Sequence, residues 1–201
     1  MSSTNRGTKR NKYDYYVTPI IDIVRFLEEF KKKHQEYFTM KNVLDPSAGG
    51  DLEREMSYPE AIKVVFPMWN VETSDLRHDS KANHTNIDYL TVDINDLLDG
   101  YVPEIIFTNP PFNIAMDFIK KALDDVKDDG LVIMLLRLNF LGSKERNNWL
   151  KTNMPYEIYV HSKRMSFIEN KSTDSIEYAH FIWKKGYKGI TKLYLLEYPS
   201  R

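Results

Sequence analysis

The residue pattern with the clearest chemistry is Asn109-Pro110-Pro111-Phe112, which follows a short run, 104–107, where a buried strand would end. The side-chain oxygen of Asn109 can accept a hydrogen bond from an exocyclic amine. Pro110 fixes its own φ and leaves its carbonyl oxygen as a second acceptor, so the turn is rigid before any substrate arrives. Phe112 offers a flat face for stacking on a heterocycle. A plain turn between a strand and a helix would suit the same residues.

A second segment upstream, 43–51, reads as a short apolar strand that ends in Asp45 and then turns through Pro46, Ser47, Ala48, Gly49 and Gly50. Small residues let a backbone approach a nucleotide-like ligand closely, and glycine tolerates a positive φ. The segment has neither the spacing of a P-loop nor the complete glycine pattern of a dinucleotide site. On its own the segment indicates a site for a nucleotide-like ligand but does not identify which ligand binds.

Together these segments resemble motif I (D-P-x-A-G-x-G) and motif IV ([DNS]-P-P-[YFW]) of the S-adenosylmethionine-dependent amino-methyltransferases of DNA. Over about residues 13–185 the chain is most similar to the small phage-type DNA adenine-N6 methyltransferases. That resemblance implies S-adenosyl-L-methionine as cofactor and methyl transfer to the N6 amine of a flipped adenine, as in restriction-modification. It implies a Rossmann-like class I methyltransferase fold, α/β, with a mostly parallel seven-stranded sheet and an antiparallel strand near the C-terminal end. Asp51 departs from the small-residue turn that motif I often has.

The resemblance also implies roles for individual residues. The tetrad Asn109, Pro110, Pro111 and Phe112 would be catalytic, and the cofactor would contact Tyr15, Thr18, Pro19, Asp45, Pro46, Ser47, Ala48, Gly49, Asp75, Leu76, Asp93, Ile94 and Asn109. Asp75 would accept both ribose hydroxyls, with Glu72 as a rival, and Asp93 would contact the adenine amine. Structural alternatives stay open, since Asp75 could cap a turn and Asp93 could cap the turn at 95–98.

Basic and aromatic residues follow two of the predicted strands, at 137–146 and 161–167. The order of the motifs resembles that of the gamma group, but the large C-terminal recognition domain of that group is absent from this sequence. We therefore expect DNA contacts from these two loops, at Arg137, Asn139, Lys144, Arg146, Lys163 and Arg164. An ordinary solvated surface is the alternative interpretation of these charges.

Hydrophobic patterning predicts strands that alternate with helices. Strands are expected at 42–45, 71–75, 88–93 (weaker), 104–108, 131–136, 156–160, 176–184 and 191–197, and helices at about 19–33, 60–66, 112–127 and 144–152. Thr18 could cap the first helix. The alternation indicates a doubly wound, mostly parallel sheet whose ligands bind at the carboxyl ends of the strands. The last two strands are expected to form a hairpin that supplies the antiparallel strand.

Length and charge place limits on the partners. The chain has 201 residues and a net charge of −1, which fits one α/β domain, 13–201, without a global basic field. Residues 1–12 are basic and could be a flexible arm for phosphate contacts or an ordinary solvated terminus. The expected partner is DNA, with a specificity partner or a homodimer as further options.

The absence of cysteine removes several mechanisms. Cytosine-C5 methyltransferases need a cysteine nucleophile, so that class is excluded. The 5 histidines have no metal-ligand spacing, and we expect no metal site. No apolar stretch approaches the length of a membrane span, and the N-terminus has no signal-peptide core, so a cytoplasmic protein without membrane contact is expected.

Three other functions remain open at this point. A protein glutamine-N5 methyltransferase uses the same acceptor logic, but such enzymes usually have tyrosine where Phe112 stands and carry an N-terminal helical domain. An RNA adenine methyltransferase is the second. A non-catalytic S-adenosylmethionine-binding protein that acts by contacting a partner is the third, and the intact tetrad argues against it.

Overall fold

An eight-stranded sheet organises the parts of the chain that the computed structural model describes, residues 17–167 and 176–198. Its strands are β1 (Asn42–Asp45), β2 (Asn70–Asp75), β3 (His84–Thr85), β4 (Ile105–Thr108), β5 (Leu131–Arg137), β6 (Glu157–His161), β7 (Tyr178–Lys184) and β8 (Lys192–Leu196). The helices are α1 (Ile20–Lys33), α2 (Ser57–Val65), α3 (Ile94–Leu97), α4 (Ala115–Asp125) and α5 (Lys144–Leu150). Tyr15 and the tail 1–12 lie outside the described residues.

The strand order across the sheet is β3-β2-β1-β4-β5-β7-β6-β8, and only β7 runs antiparallel to its neighbours. The mostly parallel α/β architecture is confirmed, with one strand more than the seven that the family resemblance implies. The chain reverses its direction of winding between β1 and β4. In doubly wound sheets such a reversal opens a crevice at the carboxyl ends of the strands.

Two expectations about strands were wrong. The last two strands do not form a hairpin, because β7 lies between β5 and β6 while β8 pairs in parallel with β6. Burial explains this arrangement: β7 is buried along nearly its whole length, as an interior strand must be, whereas β8 is mostly exposed and suits an edge.

Residues 88–93 form turns instead of the predicted third strand, and β3 lies just before them. The Asp88 carboxylate accepts from the backbone nitrogen of Leu90 (3.1 Å), and the Asp93 carboxylate accepts from that of Asn95 (2.8 Å) at the start of α3. Short acidic side chains that bond to their own backbone compete with strand pairing. The apolar residues between Asp88 and Asp93 therefore suggested a strand that does not form.

The helices cover both faces of the sheet. α1 packs against α2 on one face, where Ile23, Leu27 and Phe30 are fully buried. α4 covers the other face through Phe118, Ile119 and Ala122. The observed helix bounds differ from the predicted ones by a few residues at their ends.

Thr18 does not cap α1, in contrast to the expectation. The residue before the helix is Pro19, and it makes no side-chain capping bond. The hydroxyl of Thr18 is instead a partner of Asn109. Among the described residues no helix is long and apolar enough to cross a membrane. The same residues contain no cluster of three metal-ligating side chains.

Candidate active site

A crevice lies at the carboxyl edge of the sheet, where β1 and β2 end at Asp45 and Asp75 and β4 leads into Asn109. It has about 800 Å³ of open space, part of which is continuous with solvent. Its lining consists of Val17, Thr18, Pro46, Ser47, Ala48, Ser57, Tyr58, Asp75, Leu76, Arg77, Ile87, Asp88, Tyr89, Asn109, Pro111, Ile114 and Phe118. This size is ordinary for a small-molecule or cofactor site.

The turn after β1 is tied to the end of β2. Gly49 and Gly50 both adopt a left-handed backbone, with φ of 67° and 72°. A Cβ on Gly50 would approach the Met56 side chain to 2.9 Å, so glycine is required there by space as well as by φ. The backbone nitrogen of Gly49 donates to the Asp75 carboxylate (2.7 Å). The first motif therefore forms one floor of the crevice together with the end of β2.

The carboxylate of Asp75 accepts two hydrogen bonds from the backbone and still has unused lone pairs. One carboxylate oxygen accepts from Gly49 and the other from the backbone nitrogen of Arg77, at 2.7 Å each. A carboxylate offers about four lone-pair positions, so each oxygen can still accept a further hydrogen bond. Burial raises the pKa of Asp75, while the bonds from Arg77 and Gly49 oppose that shift. Its rival Glu72 lies earlier in β2, half-buried and 3.8 Å from His84.

Asp45 joins the first motif to the strand that carries the tetrad. One of its oxygens accepts from the Thr108 hydroxyl (2.6 Å) and from the backbone nitrogen of Ser47 (3.2 Å). Ser47 in turn lies 2.6 Å from Thr108 and donates to the carbonyl of Asn109 (3.2 Å). Asp45 is fully buried and does not line the crevice; burial raises its pKa to about 7. Its effect on the site is to align two loops.

The amide of Asn109 is hydrogen-bonded through its nitrogen and unpaired at its oxygen. Its nitrogen donates to the hydroxyl oxygen of Thr18 at 3.1 Å. Its oxygen is buried and has no hydrogen-bond partner in the described structure. Buried polar atoms are rarely left unpaired, so this oxygen at the wall of the crevice is a candidate acceptor for a ligand donor.

Phe112 lies beside the crevice between two other side chains. The guanidinium of Arg137, at the end of β5, sits 5.0 Å from the centre of its ring, within the range of a cation–π contact. The ring of Tyr178 lies 5.7 Å away at an angle of 37°. Phe112 is half-buried, so one part of its surface stays accessible.

The structure brings some predicted site residues together and leaves others apart. Thr18, Pro46, Ser47, Ala48, Asp75, Leu76, Asn109 and Pro111 line the crevice, whereas Pro19, Asp45, Gly49, Asp93, Ile94, Pro110 and Phe112 do not. The largest difference concerns Asp93 and Ile94, because Asp93 caps α3 and is exposed. Asp88 and Tyr89 occupy the wall instead.

Sequence reasoning missed several lining residues, among them Ser57 and Tyr58 on α2 and Phe118 on α4. Their positions depend on how the helices pack on the sheet, which local pattern does not reveal. Asp88 carried a usable signal, since an acid there follows the short β3 segment and precedes an aromatic residue. The wrong strand at 88–93 concealed that signal.

The predicted DNA-contacting residues share the edge of the sheet that carries the crevice. Arg137 ends β5, Lys163 and Arg164 follow β6, and both strands end at the same edge because β7 is antiparallel to each. Asn139, Lys144, Lys163 and Arg164 are exposed. Arg146 is less free, because its Nε donates to the Phe140 carbonyl (2.9 Å) and its guanidinium stacks over the Phe140 ring (4.4 Å).

The fold has known counterparts. A structure assigned to the class I S-adenosylmethionine-dependent methyltransferases, from Listeria monocytogenes, superposes with a TM-score of 0.63 at 14% identity, covering 94% of this chain and 67% of its own. The chain has the class I methyltransferase fold.

Two further structures share it. One is the methyltransferase subunit of a type I restriction-modification system from Streptococcus thermophilus (TM-score 0.63, 14% identity, 86% of this chain and 45% of that one). The other, from Pyrococcus horikoshii, is assigned as an RNA methyltransferase (TM-score 0.63, 15% identity, 91% and 94%). This chain thus spans less than half of the restriction-modification subunit. No family model and no curated protein matches the sequence.

Proposed function

We propose that this protein transfers a methyl group from S-adenosyl-L-methionine to the N6 amine of adenine in DNA. The observation that carries the proposal is the buried, unpartnered side-chain oxygen of Asn109 at the wall of the crevice. An acceptor in that state suits a substrate amine, which has protons to donate and a lone pair that must be freed from the ring.

The crevice fits the cofactor on its own residues. Asp75 has unused lone pairs for two ribose hydroxyls, and Asp88 with Tyr89 could contact the adenine, in place of the Asp93 and Ile94 pair. The glycine turn at Gly49 lets a nucleoside approach the backbone. When bound, S-adenosylmethionine supplies a methyl group already activated by its sulfonium, so the protein need not generate a strong nucleophile.

The tetrad orients the target amine. Asn109 Oδ1 and the carbonyl oxygen of Pro110 would accept one hydrogen bond each from the two amine N–H groups, which favours a pyramidal nitrogen whose lone pair faces the methyl group. Pro110 fixes φ, so the second acceptor is in place before the base enters. Holding two reactants in line lowers the barrier by several kcal/mol in well-oriented systems, on the order of 7–11 kcal/mol at most.

The flipped base would stack on Phe112. Base–aromatic stacking contributes about 1–3 kcal/mol per base. Arg137 covers part of the same ring, and its buried Nε has no hydrogen-bond partner in the described structure. Arg137 is therefore suited to hydrogen-bond the base or an adjacent phosphate.

DNA is preferred as the substrate because exposed positive charges from two loops border the tetrad side of the crevice. A restriction-modification or phage setting, with a specificity partner or a homodimer, fits this assignment. RNA is the second candidate, since a structure assigned as an RNA methyltransferase matches 91% of the chain.

Incubation of the protein with isotopically labelled cofactor and either duplex DNA, structured RNA or a glutamine-bearing protein substrate tests the proposal. Label recovered as N6-methyladenine from DNA is expected. Label confined to RNA or to the protein substrate would move the activity to that class. Binding of the cofactor without transfer to any of them would support a non-catalytic role.

A further inference from the structure

Five side chains connect Asn109 to Asp22 through one line of hydrogen bonds. The Asn109 amide nitrogen lies 3.1 Å from the Thr18 hydroxyl oxygen. A side-chain hydrogen bond from Thr18 counters the rise that burial causes in the pKa of Tyr58. The line continues from Tyr58 to His180 Nε2 (3.4 Å), from His180 Nδ1 to His161 Nε2 (2.9 Å), and from His161 Nδ1 to Tyr198 (2.6 Å). Tyr198 finally bonds to the carboxyl group of Asp22 on α1.

The line is almost fully shielded from solvent. Thr18, Asp22, Tyr58, His161 and His180 are each between 0% and 3% exposed. Phe26 stacks on the His180 ring at 4.1 Å and helps to close this region. In such surroundings an unpaired polar group is costly, which favours the bonds along the line.

Asp22 sets the direction of the donors. An ionised carboxylate can only accept, so Tyr198 must donate to it and must accept from His161. Burial raises the pKa of Asp22, and the bond from Tyr198 together with Lys163 and Arg25 opposes this by favouring the charged form.

The two histidines transmit this direction because both are neutral. Burial lowers the pKa of His161 to about 4, and burial, together with the nearby His161, lowers the pKa of His180 well below its usual range. A neutral imidazole has one donor and one acceptor. With Nδ1 of His161 donating to Tyr198, its Nε2 accepts from His180 Nδ1, and His180 Nε2 accepts from Tyr58.

The same logic then reaches the tetrad. Tyr58 donates to His180 and so accepts from Thr18, and Thr18, having given its proton to Tyr58, accepts from the Asn109 amide nitrogen. The reverse direction would have Thr18 donating to the Asn109 oxygen. The NH2 group would then occupy the place of the free acceptor and face the substrate amine, donor against donor.

We propose that Asp22 is a positioning residue that, through His161 and His180, holds the Asn109 amide with its oxygen toward the target amine. This inference rests on the proposed function of Asn109 as the acceptor. The nitrogen and oxygen of an amide have nearly the same shape, so packing alone cannot select between the two orientations.

The tautomers can be measured without substrate. Nitrogen-15 NMR of the intact protein with labelled histidine, assigned with His161→Phe and His180→Phe, should show neutral Nδ1–H tautomers for both residues near pH 7. An Nε2–H tautomer or a charged ring at either position would overturn the inference. This readout does not depend on which amine is methylated, so it can fail or succeed separately from the proposed function.

Asp22→Asn tests the anchor, since an amide at this position can donate to Tyr198 and permits both directions. We expect the histidine signals to show mixed tautomers and kcat to fall at least about two-fold, with unchanged cofactor affinity, if both directions become equally populated. Wild-type tautomers with wild-type kcat would overturn the inference.

His34→Gln is the matched control. His34 is also buried, but it bonds to Glu157 (2.7 Å) and lies outside the line. The substitution should lower the unfolding temperature and leave kcat and the tautomers of His161 and His180 unchanged. Loss of activity in Asn109→Ala tests the proposed function only. A change of kcat and of the histidine tautomers in Asp22→Asn tests the line of hydrogen bonds.

Discussion

The amide nitrogen of Asn109 donates to the hydroxyl of Thr18 across 3.1 Å, although the two residues are 91 positions apart in the chain. This contact joins the segment before α1 to the loop after β4. It occupies the donor end of the amide and leaves the Asn109 oxygen, an unpaired acceptor, for a hydrogen bond from a substrate. The orientation of the tetrad thus depends on a residue that local sequence pattern would assign to helix capping.

Asp88 and Asp93 form a natural pair for testing which acid belongs to the cofactor site. Asp88→Ala should weaken S-adenosylmethionine binding, by about 1.5–3 kcal/mol if a hydrogen bond to the charged group is removed. Asp93→Ala should remove the cap of α3 and lower the free energy of unfolding by about 0.5–2 kcal/mol, with little effect on affinity. Titration calorimetry and thermal unfolding of both variants separate the two. A larger affinity loss in Asp93→Ala would restore the sequence-based assignment.

Asp75→Ala should weaken cofactor binding on the order of 2–4 kcal/mol, because it would remove the two charge-assisted hydrogen bonds proposed to the ribose hydroxyls. The same change leaves the backbone nitrogens of Gly49 and Arg77 without their acceptor, so the variant should also be less stable. Affinity is therefore measured well below the unfolding transition. Glu72→Ala is the control, and its affinity should stay close to that of the wild type; the opposite ranking would contradict the placement of the ribose site.

Asp45 should make the stability of the cofactor-free protein fall as the pH rises. Its pKa is about 7 in the folded protein, against 3.8 for an ordinary carboxyl group. The folded form thus keeps a proton that the unfolded chain has already released, so unfolding becomes easier between about pH 4 and pH 7. In Asp45→Asn this contribution is absent, and denaturant titrations at a series of pH values should show a flatter profile. An identical slope in both proteins would mean that Asp45 is ionised throughout.

DNA binding should depend on Lys144 and Arg164, which are exposed at the tetrad side of the sheet. Lys144→Glu and Arg164→Glu should each weaken DNA binding, and the slope of log affinity against log salt should become shallower by about one for each phosphate that is no longer neutralised. Cofactor binding should not change. Lys63→Glu, on the last turn of α2 and 74% exposed, is the control with the same charge change. If all three substitutions weakened DNA binding equally, the effect would come from the change in net charge and not from contacts at the tetrad side.

The sequence was a good guide where a strand or turn is determined by its own residues. The buried run at 131–136, the acid at the end of β1 and the glycine turn are all where their local chemistry predicts. The tetrad residue Asn109 also lies at the crevice, as expected from its position after β4.

The errors come from interactions between distant segments. The pairing of β8 with β6, and the insertion of β7 between β5 and β6, depend on which strand must be buried on both sides. The line of hydrogen bonds that ends at Asp22 involves residues from α1, α2, β6 and β7, and no spacing rule predicts it. Asp88 was missed because its short local turn interrupts what resembles a strand.

Asn109→Ala, assayed for methyl transfer to DNA and for S-adenosylmethionine binding by calorimetry, is the most direct test of the proposed activity. In the proposed activity the side-chain oxygen accepts from the target amine, and the crevice walls formed by Pro46, Ala48 and Asp75 do not depend on it. We predict that transfer to adenine is abolished while the dissociation constant of the cofactor changes little. Methyl transfer at the wild-type rate in this variant would contradict the assignment of the tetrad as the amine acceptor.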